Sequence, residues 1–257
     1  MEKLLNSIEA AVTKYFPNRK VLSIDDRGKV IRHCFCVTMD HDERVVFKIK
    51  THPEWGDRKH EDNVVKMLEK HDVPSPEVLF IDDSCTIIPY PFLIQKWIGG
   101  VKLGEIIYNI ALTNQQKIYK EIGLIYRKIH AIRNDKSGLW DEVNPYQVKY
   151  DISPNDYMFN AEIVNGSGQK AVDEGLISPG LHRRVIELWQ NNMDYLKNHQ
   201  PSMIHYSPFP WTIYLEKGRD SWKVVKLTSL GDVMWWDPAF DLAVLKCPPF
   251  GDYDELK

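Results

Sequence analysis

The spacing of apolar residues changes partway along the chain, near Thr113, and that change limits the possible folds more than any other feature. Before it, residues 20 to 50 hold three short segments rich in β-branched and aromatic residues, KVLSID, HCFCVTM and RVVFKIK. The turn-like DDRGK and DHDE separate them, which predicts an antiparallel meander. A helical stretch from about Lys59 to Lys70 follows, and HDVPSP breaks it. EVLFID and FLIQKWI then predict two more strands. An amphipathic helix carrying Leu4, Leu5, Ile8, Val12, Tyr15 and Phe16 precedes all of these and closes at Pro17. Beyond Thr113, Ile118, Ile122, Ile125, Ile129 and Ile132 are spaced to form one stripe along a helix. Thr113 and Gln116 fit a capping box at its start. A second helix is expected from Ser178-Pro179 to about Asn198, with proline in the first turn where its missing N–H costs nothing. Between them NGSGQK reads as a flexible loop, and TIYLE and KVVKLTSL read as a short hairpin.

Composition excludes several classes. The 33 basic residues nearly balance the 36 acidic ones, which argues against a dedicated binder of nucleic acid or anionic membrane. A 257-residue chain that is 43% hydrophobic can bury a full core without disulfides or a structural metal. Its 4 cysteines form no C-x-x-C pair, and Cys34 and Cys36 would share one face of a strand. His33, His41, His52 and His60 follow no ligand spacing. No apolar run reaches transmembrane length, and Glu2 and Glu9 spoil the N-terminus as a signal peptide, so a cytoplasmic address is expected.

The order of elements predicts an α+β, two-lobed protein-kinase-like fold. An antiparallel-sheet N-lobe over residues 1–98 would precede a mainly helical C-lobe over residues 99–257. Lys48 closes the interior strand VVFKIK, and Glu61 stands on the next helix. Such a pair fixes an ammonium beside nucleotide phosphates. Together with Lys48 and Glu61, the segments VPSPEVL, FLIQKWIGG (92–100), IGLIYRKIHAI (122–132) and DPAFDLA (237–243) resemble the aminoglycoside phosphotransferase family, small-molecule kinases of that fold. The resemblance implies ATP or another nucleotide held with magnesium. It makes FLIQKWIGG the interlobe hinge, with backbone near Gln95, Lys96 and Trp97 open to adenine. It also sets Gly28 in the phosphate-covering loop, where a lone glycine is a weak cradle.

The departures from the family pattern carry more weight. The family's catalytic loop resembles H-G-D followed after four residues by Asn. Here MIHYSPFPWTIYLE puts His205 at the histidine, Ser207 at the catalytic aspartate and Thr212 at the asparagine. Counting back from DPAFDLA puts Ser229 at the magnesium-binding aspartate, with Asp232 three residues on as a carboxylate that could rescue a metal site. His205, Asp237 and Asp241 are expected to brace the loop. A serine hydroxyl is a poor base near neutral pH. Neutral Thr212 and Ser229 bring no charge to hold a hard dication. The chain also ends soon after DPAFDLA, where family members continue with more helices, so the C-lobe is expected to be short.

The leading expectation is therefore a pseudokinase of the phosphotransferase family, with weak or absent nucleotide binding and a small-molecule or protein partner. An active ATP-dependent small-molecule kinase with atypical metal ligation is the alternative. A non-enzymatic interaction module on the same fold is the third. Trp140, Tyr146, Tyr150, Tyr157 and Phe159 lie where the family builds its acceptor side, though core packing explains aromatic residues equally well.

Overall fold

The computed structural model describes residues 2–27, 33–51, 58–141, 144–151, 155–198, 200–219 and 221–246. Gly28 lies outside the described residues, as do the side chains of Tyr150 and Tyr157. Packing divides the chain into two units. The first comprises Met1–Lys128, Ser207–Asp232 and the chain from Val244 on; the second comprises Ile129–Tyr206 and Val233–Ala243.

The first unit is built on a five-stranded antiparallel sheet of order β1-β2-β3-β5-β4. Its strands are β1 (Val21–Asp26), β2 (His33–Met39), β3 (Arg44–Ile49), β4 (Val78–Asp82) and β5 (Phe92–Lys96). Alternation along β2 and β3 separates two faces. Phe35, Val37, Val45, Phe47 and Ile49 enter the core, where Phe92 and Ile94 of β5 join them. The first helix, α1 (Glu2–Tyr15), covers that face with Ile8, Ala11 and Val12, each at most 1% exposed. Cys34, Cys36, Val46, Lys48 and Gln95 take the other face, because Cys34 pairs with Lys48, Cys36 with Val46, and Val46 with Gln95. The predicted meander, its two later strands and the helix α2 (Arg58–Lys70) are all present.

The same unit holds β6 (Val101–Lys102), the short α3 (Leu103–Ile106) and all but the end of α4 (Leu112–His130). The isoleucine stripe of α4 is buried. In the second unit β7 (Gly138–Trp140) and β8 (Val148–Asp151) precede a π-helical stretch, Asn155–Val164, and α5 (Ser167–Asp173). Next come α6 (Pro179–Asn191), α7 (Met193–Asn198) and β9 (Ser202–Ile204). The Ser178 hydroxyl accepts from the Leu181 N–H at the start of α6, with proline in the first turn as predicted. The predicted hairpin forms in the first unit as β10 (Ile213–Lys217) and β11 (Trp222–Leu227), with β6 on its free edge. In the second unit β12 (Met234–Trp236) joins β8, β7 and β9 in a four-stranded sheet. The last helix, α8, spans Ala239–Lys246.

Three sequence expectations are corrected. Helix α4 begins at Leu112, so Thr113 lies inside it rather than capping it, and the helix expected from Ser178-Pro179 to about Asn198 is two, α6 and α7, interrupted at Asn192. NGSGQK is not a loop; most of it lies in α5. The glycines serve close approach rather than flexibility. A Cβ at Gly166 would lie 2.2 Å from the Ala161 carbonyl oxygen, and one at Gly168 equally near that of Ile163. The aromatic stretch packs as core: Trp140 stacks on Trp235 at 4.8 Å and Phe159 on Trp189 at 5.7 Å, while Tyr146 is exposed. Among the described residues no helix is long and apolar enough to cross a membrane.

Helix α1 is tied to the sheet by more than apolar contact. The buried Asp82, at the end of β4, accepts from the Tyr15 hydroxyl at 2.6 Å and pairs with Lys14 at 3.4 Å. It also accepts from the hydroxyl and N–H of Ser84. Burial pushes the carboxyl pKa up, but the bonds from Ser84 and Tyr15 and the Lys14 ammonium outweigh it and hold it at about 2. The folded state thus binds this proton more weakly than the unfolded chain. The stabilisation is full above the ordinary carboxyl value and is lost as pH falls from there towards about 2. Asp82→Asn should cost on the order of 2 kcal/mol at neutral pH and flatten that acid limb of the stability curve. Tyr15→Phe should cost about 1 kcal/mol. Urea unfolding across pH measures both, and an Asp82→Asn protein as acid-sensitive as the parent would refute the account.

Candidate functional site

The polar face of the five-stranded sheet carries one charged group in its middle. Lys48 stands at a cavity-facing position of β3, and its side chain is 20% exposed. Glu61 is in the first turn of α2, where the positive end of the helix favours a carboxylate, and its side chain is 3% exposed. Their side chains form an ion pair, Lys48 Nζ to Glu61 Oε1. The buried Gln95 amide on β5 donates to the same oxygen at 3.2 Å. Two strands and a helix thus meet at one carboxylate. A pair this dry is stabilising only while its remaining hydrogen-bond capacity is used, and Gln95 supplies a further donor.

The pair lines a cavity of about 500 Å³ whose walls all belong to the first unit. Gln95, Lys96 and Trp97 lie on it, as do Ser229, Gly231 and Asp232. The turn Leu230–Asp232 packs beside α2, so that a Cβ on Gly231 would lie 3.7 Å from Glu61 Oε2. Ser229 enters this turn with φ +64°, a left-handed backbone that a residue with a Cβ adopts only at a cost. The position keeps an unusual geometry although its side chain is a small hydroxyl.

Ser207 and Thr212 are not on the cavity wall. The buried Thr212 hydroxyl turns back into its own loop, 2.9 Å from the Ser207 carbonyl and 2.8 Å from that of Phe209. The Phe209 N–H donates to the Ser207 carbonyl and the Thr212 N–H to that of Phe209, so residues 207–212 form a closed turn. In the second unit His205 is fully buried, and its N–H and that of Tyr206 donate to Asp241, at 2.8 and 2.9 Å. His130 Nε2 reaches the same carboxylate at 2.9 Å. Asp241 braces this segment as expected, and Asp237 caps α8 by accepting from the Ala239 N–H.

The donor set does not fit a bound magnesium ion of the usual kind. Thr212 is committed to carbonyls, Ser229 is neutral, and Glu61 is taken by Lys48. Asp232 and Glu105 are the other carboxylates on the wall among the described residues, and Glu105 accepts from the Lys102 backbone N–H. Among the described residues no three His, Cys, Asp or Glu side chains are grouped to hold a metal.

Several wall residues escaped the sequence reading: Arg27, Cys34, Lys102, Trp211 and Tyr214. Lys102 sits on a two-residue strand, too short for alternation to show, and faces Tyr214 across the β6–β10 pairing. Burial raises the Tyr214 pKa, helped by Cys34 and Glu105 and opposed by Arg27. Burial likewise pushes the Cys34 thiol up, against the pull of Lys48 and Lys102.

A family model described as "Phosphotransferase enzyme family" matches residues 34–249. No curated protein matches. Among solved structures, aminoglycoside phosphotransferase APH(4)-Ia is similar with a TM-score of 0.66 at 13% identity, covering 94% of this chain and 76% of the other. The GDP and kanamycin complex of APH(2")-IIia gives 0.61 at 14%, with 92% and 76% covered. A Thermobifida fusca protein assigned by name as a fructosamine-3-kinase gives 0.54 at 17%, with 93% and 78% covered. At such identities the likeness establishes the fold, and it is the kinase-like α+β fold expected from the order of elements.

Two substitutions test the site as built. Glu61→Gln leaves a mostly buried ammonium without its counter-charge and should lower stability by about 2 to 3 kcal/mol. Thr212→Val removes a hydroxyl that serves the loop and should cost about 1 to 2 kcal/mol, whereas Thr212→Ser should be nearly neutral. Denaturant midpoints read both. A Thr212→Val protein as stable as the parent would show that the hydroxyl has no structural task.

Proposed function

The chain belongs to the phosphotransferase enzyme family, and on that premise we propose that it is a pseudokinase, keeping the family's nucleotide side while lacking its catalytic base and magnesium ligands. In this reading residues 1–98 serve the nucleotide and residues 99–257 supply the loop and acceptor side. The observation that carries it is the make-up of one wall. An intact Lys48–Glu61 pair shares a cavity with Ser229, a neutral hydroxyl at the position of a metal-binding aspartate. The inward-turned Thr212 hydroxyl adds support. Phosphoryl transfer depends on positioning and on neutralising charge, so loss of base and ligands together should be severe. ATP or a similar nucleotide would bind weakly, and a small molecule or a protein would be the partner. A cytoplasmic address is part of the same proposal.

Asp232 favours a second reading. It lines the same cavity as Ser229 and could ligate a metal in an active kinase of atypical design. Turnover separates the two. The purified protein should transfer no phosphate from ATP to aminoglycosides or a panel of simple alcohols above background. The triple variant Ser207→Asp, Thr212→Asn, Ser229→Asp should gain magnesium-dependent nucleotide affinity, and the single variants much less, because metal ligands act as a unit. Magnesium-dependent turnover by the parent at the ~1 to 100 s⁻¹ common among kinases, abolished by Asp232→Asn, would refute the pseudokinase reading.

A further inference from the structure

We propose that the cavity takes a nucleoside polyphosphate in its metal-free form, with Arg27, Lys48 and Lys102 neutralising the phosphates in place of a divalent cation. The inference rests on the nucleotide-binding part of the reading above and concerns the state in which the nucleotide arrives. Among the described residues four cationic side chains line the wall, Lys96 being the fourth, against the three carboxylates of Glu61, Glu105 and Asp232. Those charges are unequally committed. Glu61 is paired with Lys48, and Lys96 is paired with Glu77 outside the cavity. Among the described residues neither the Arg27 guanidinium nor the Lys102 ammonium is in an ion pair. The Lys48 ammonium has donors beyond the one given to Glu61.

The three cations belong to one neighbourhood. Lys48 lies opposite Cys34 across β2 and β3, and the electrostatic influence of both Lys48 and Lys102 reaches the Cys34 thiol. Lys102 faces Tyr214, whose hydroxyl feels Arg27. A polyphosphate in this space would meet cations from the end of β1, from β3 and from β6 together. Among the described residues no three His, Cys, Asp or Glu side chains are grouped there to share a metal with it.

The charge balance explains why this arrangement is self-consistent. An aspartate at 229 would repel phosphate unless a dication stood between them; the Ser229 hydroxyl does not. Metal-free nucleoside triphosphate carries more negative charge than its magnesium complex, so it gains more from unpaired guanidinium and ammonium groups. Magnesium should therefore compete with the protein for the phosphates rather than assist.

Calorimetric titration with ATP, once in EDTA and once with Mg²⁺ in excess over nucleotide, tests this directly. Affinity should be equal or higher in EDTA and should fall with added salt. Arg27→Ala and Lys102→Gln should each weaken binding in EDTA about tenfold, since each removes a charge-assisted contact. Their thermal transitions should match the parent, which separates lost binding from lost folding. Ser229→Asp should weaken metal-free binding and make affinity rise with Mg²⁺. Binding by the parent that is tightened severalfold by Mg²⁺, or left unchanged by both cation variants, overturns the inference and leaves the nucleotide-binding reading standing. No ATP binding in either buffer overturns that reading, and this inference with it.

Discussion

The contact between Lys48 and Glu61 is where the first unit is joined. β3 contributes the ammonium, α2 the carboxylate and β5 the Gln95 amide that holds the carboxylate from a third side. All three groups are largely buried, so none can drift without stranding another in a low-dielectric place. The consequence extends outward. α2 must sit with its first turn over the sheet, which puts the turn Leu230–Asp232 against it and brings Ser229 and Asp232 to the cavity wall. The register of five strands, the placement of one helix and the position of a distant turn thus share one electrostatic anchor.

In the pseudokinase reading proposed above, this anchor outlasts the catalytic chemistry. A buried ion pair with a third partner is costly to break one residue at a time, whereas carboxylates facing a cavity can become hydroxyls with little structural loss. Thr212 fits that reading. Its hydroxyl closes the turn 207–212 instead of facing outward. Ser229 is the opposite case, a left-handed backbone at a position whose side chain is a small hydroxyl. The loop brace survives as well, with Asp241 holding two successive N–H groups and His130. Together these bonds form a scaffold around a wall on which Glu61 is paired with Lys48 and Glu105 accepts from the Lys102 N–H.

Much of this was legible in the residues. Runs of β-branched and aromatic residues bounded by turn residues made the five strands visible, and the isoleucine spacing made α4 visible because its period runs long enough to exceed chance. Lys48 and Glu61 could be paired because each sits in a segment of clear type. Asp232 and Ser229 followed from counting back along a rigid run to DPAFDLA. NGSGQK was read wrongly because glycine signals both flexibility and close packing, and only the carbonyls of Ala161 and Ile163 distinguish the two. The short strands β6, β7, β9 and β12 carried no signal, since two or three residues cannot show a period.

The sequence by itself determined the order of elements, the ion pair at the centre of the sheet and the hydroxyl residues Ser207, Thr212 and Ser229 at the positions that the family resemblance gives to acidic or amide groups. Those properties are local: each depends on residue type and spacing within a few turns of chain. The tertiary structure alone decided which cations share the cavity. Arg27, Lys48 and Lys102 come from well-separated stretches, and no local pattern links them. It also decided where hydroxyls point, sending that of Thr212 into its own loop and leaving Ser229 on the wall. Charge balance in a cavity is a sum over groups brought together by folding, and it can be read only once the chain has closed around them.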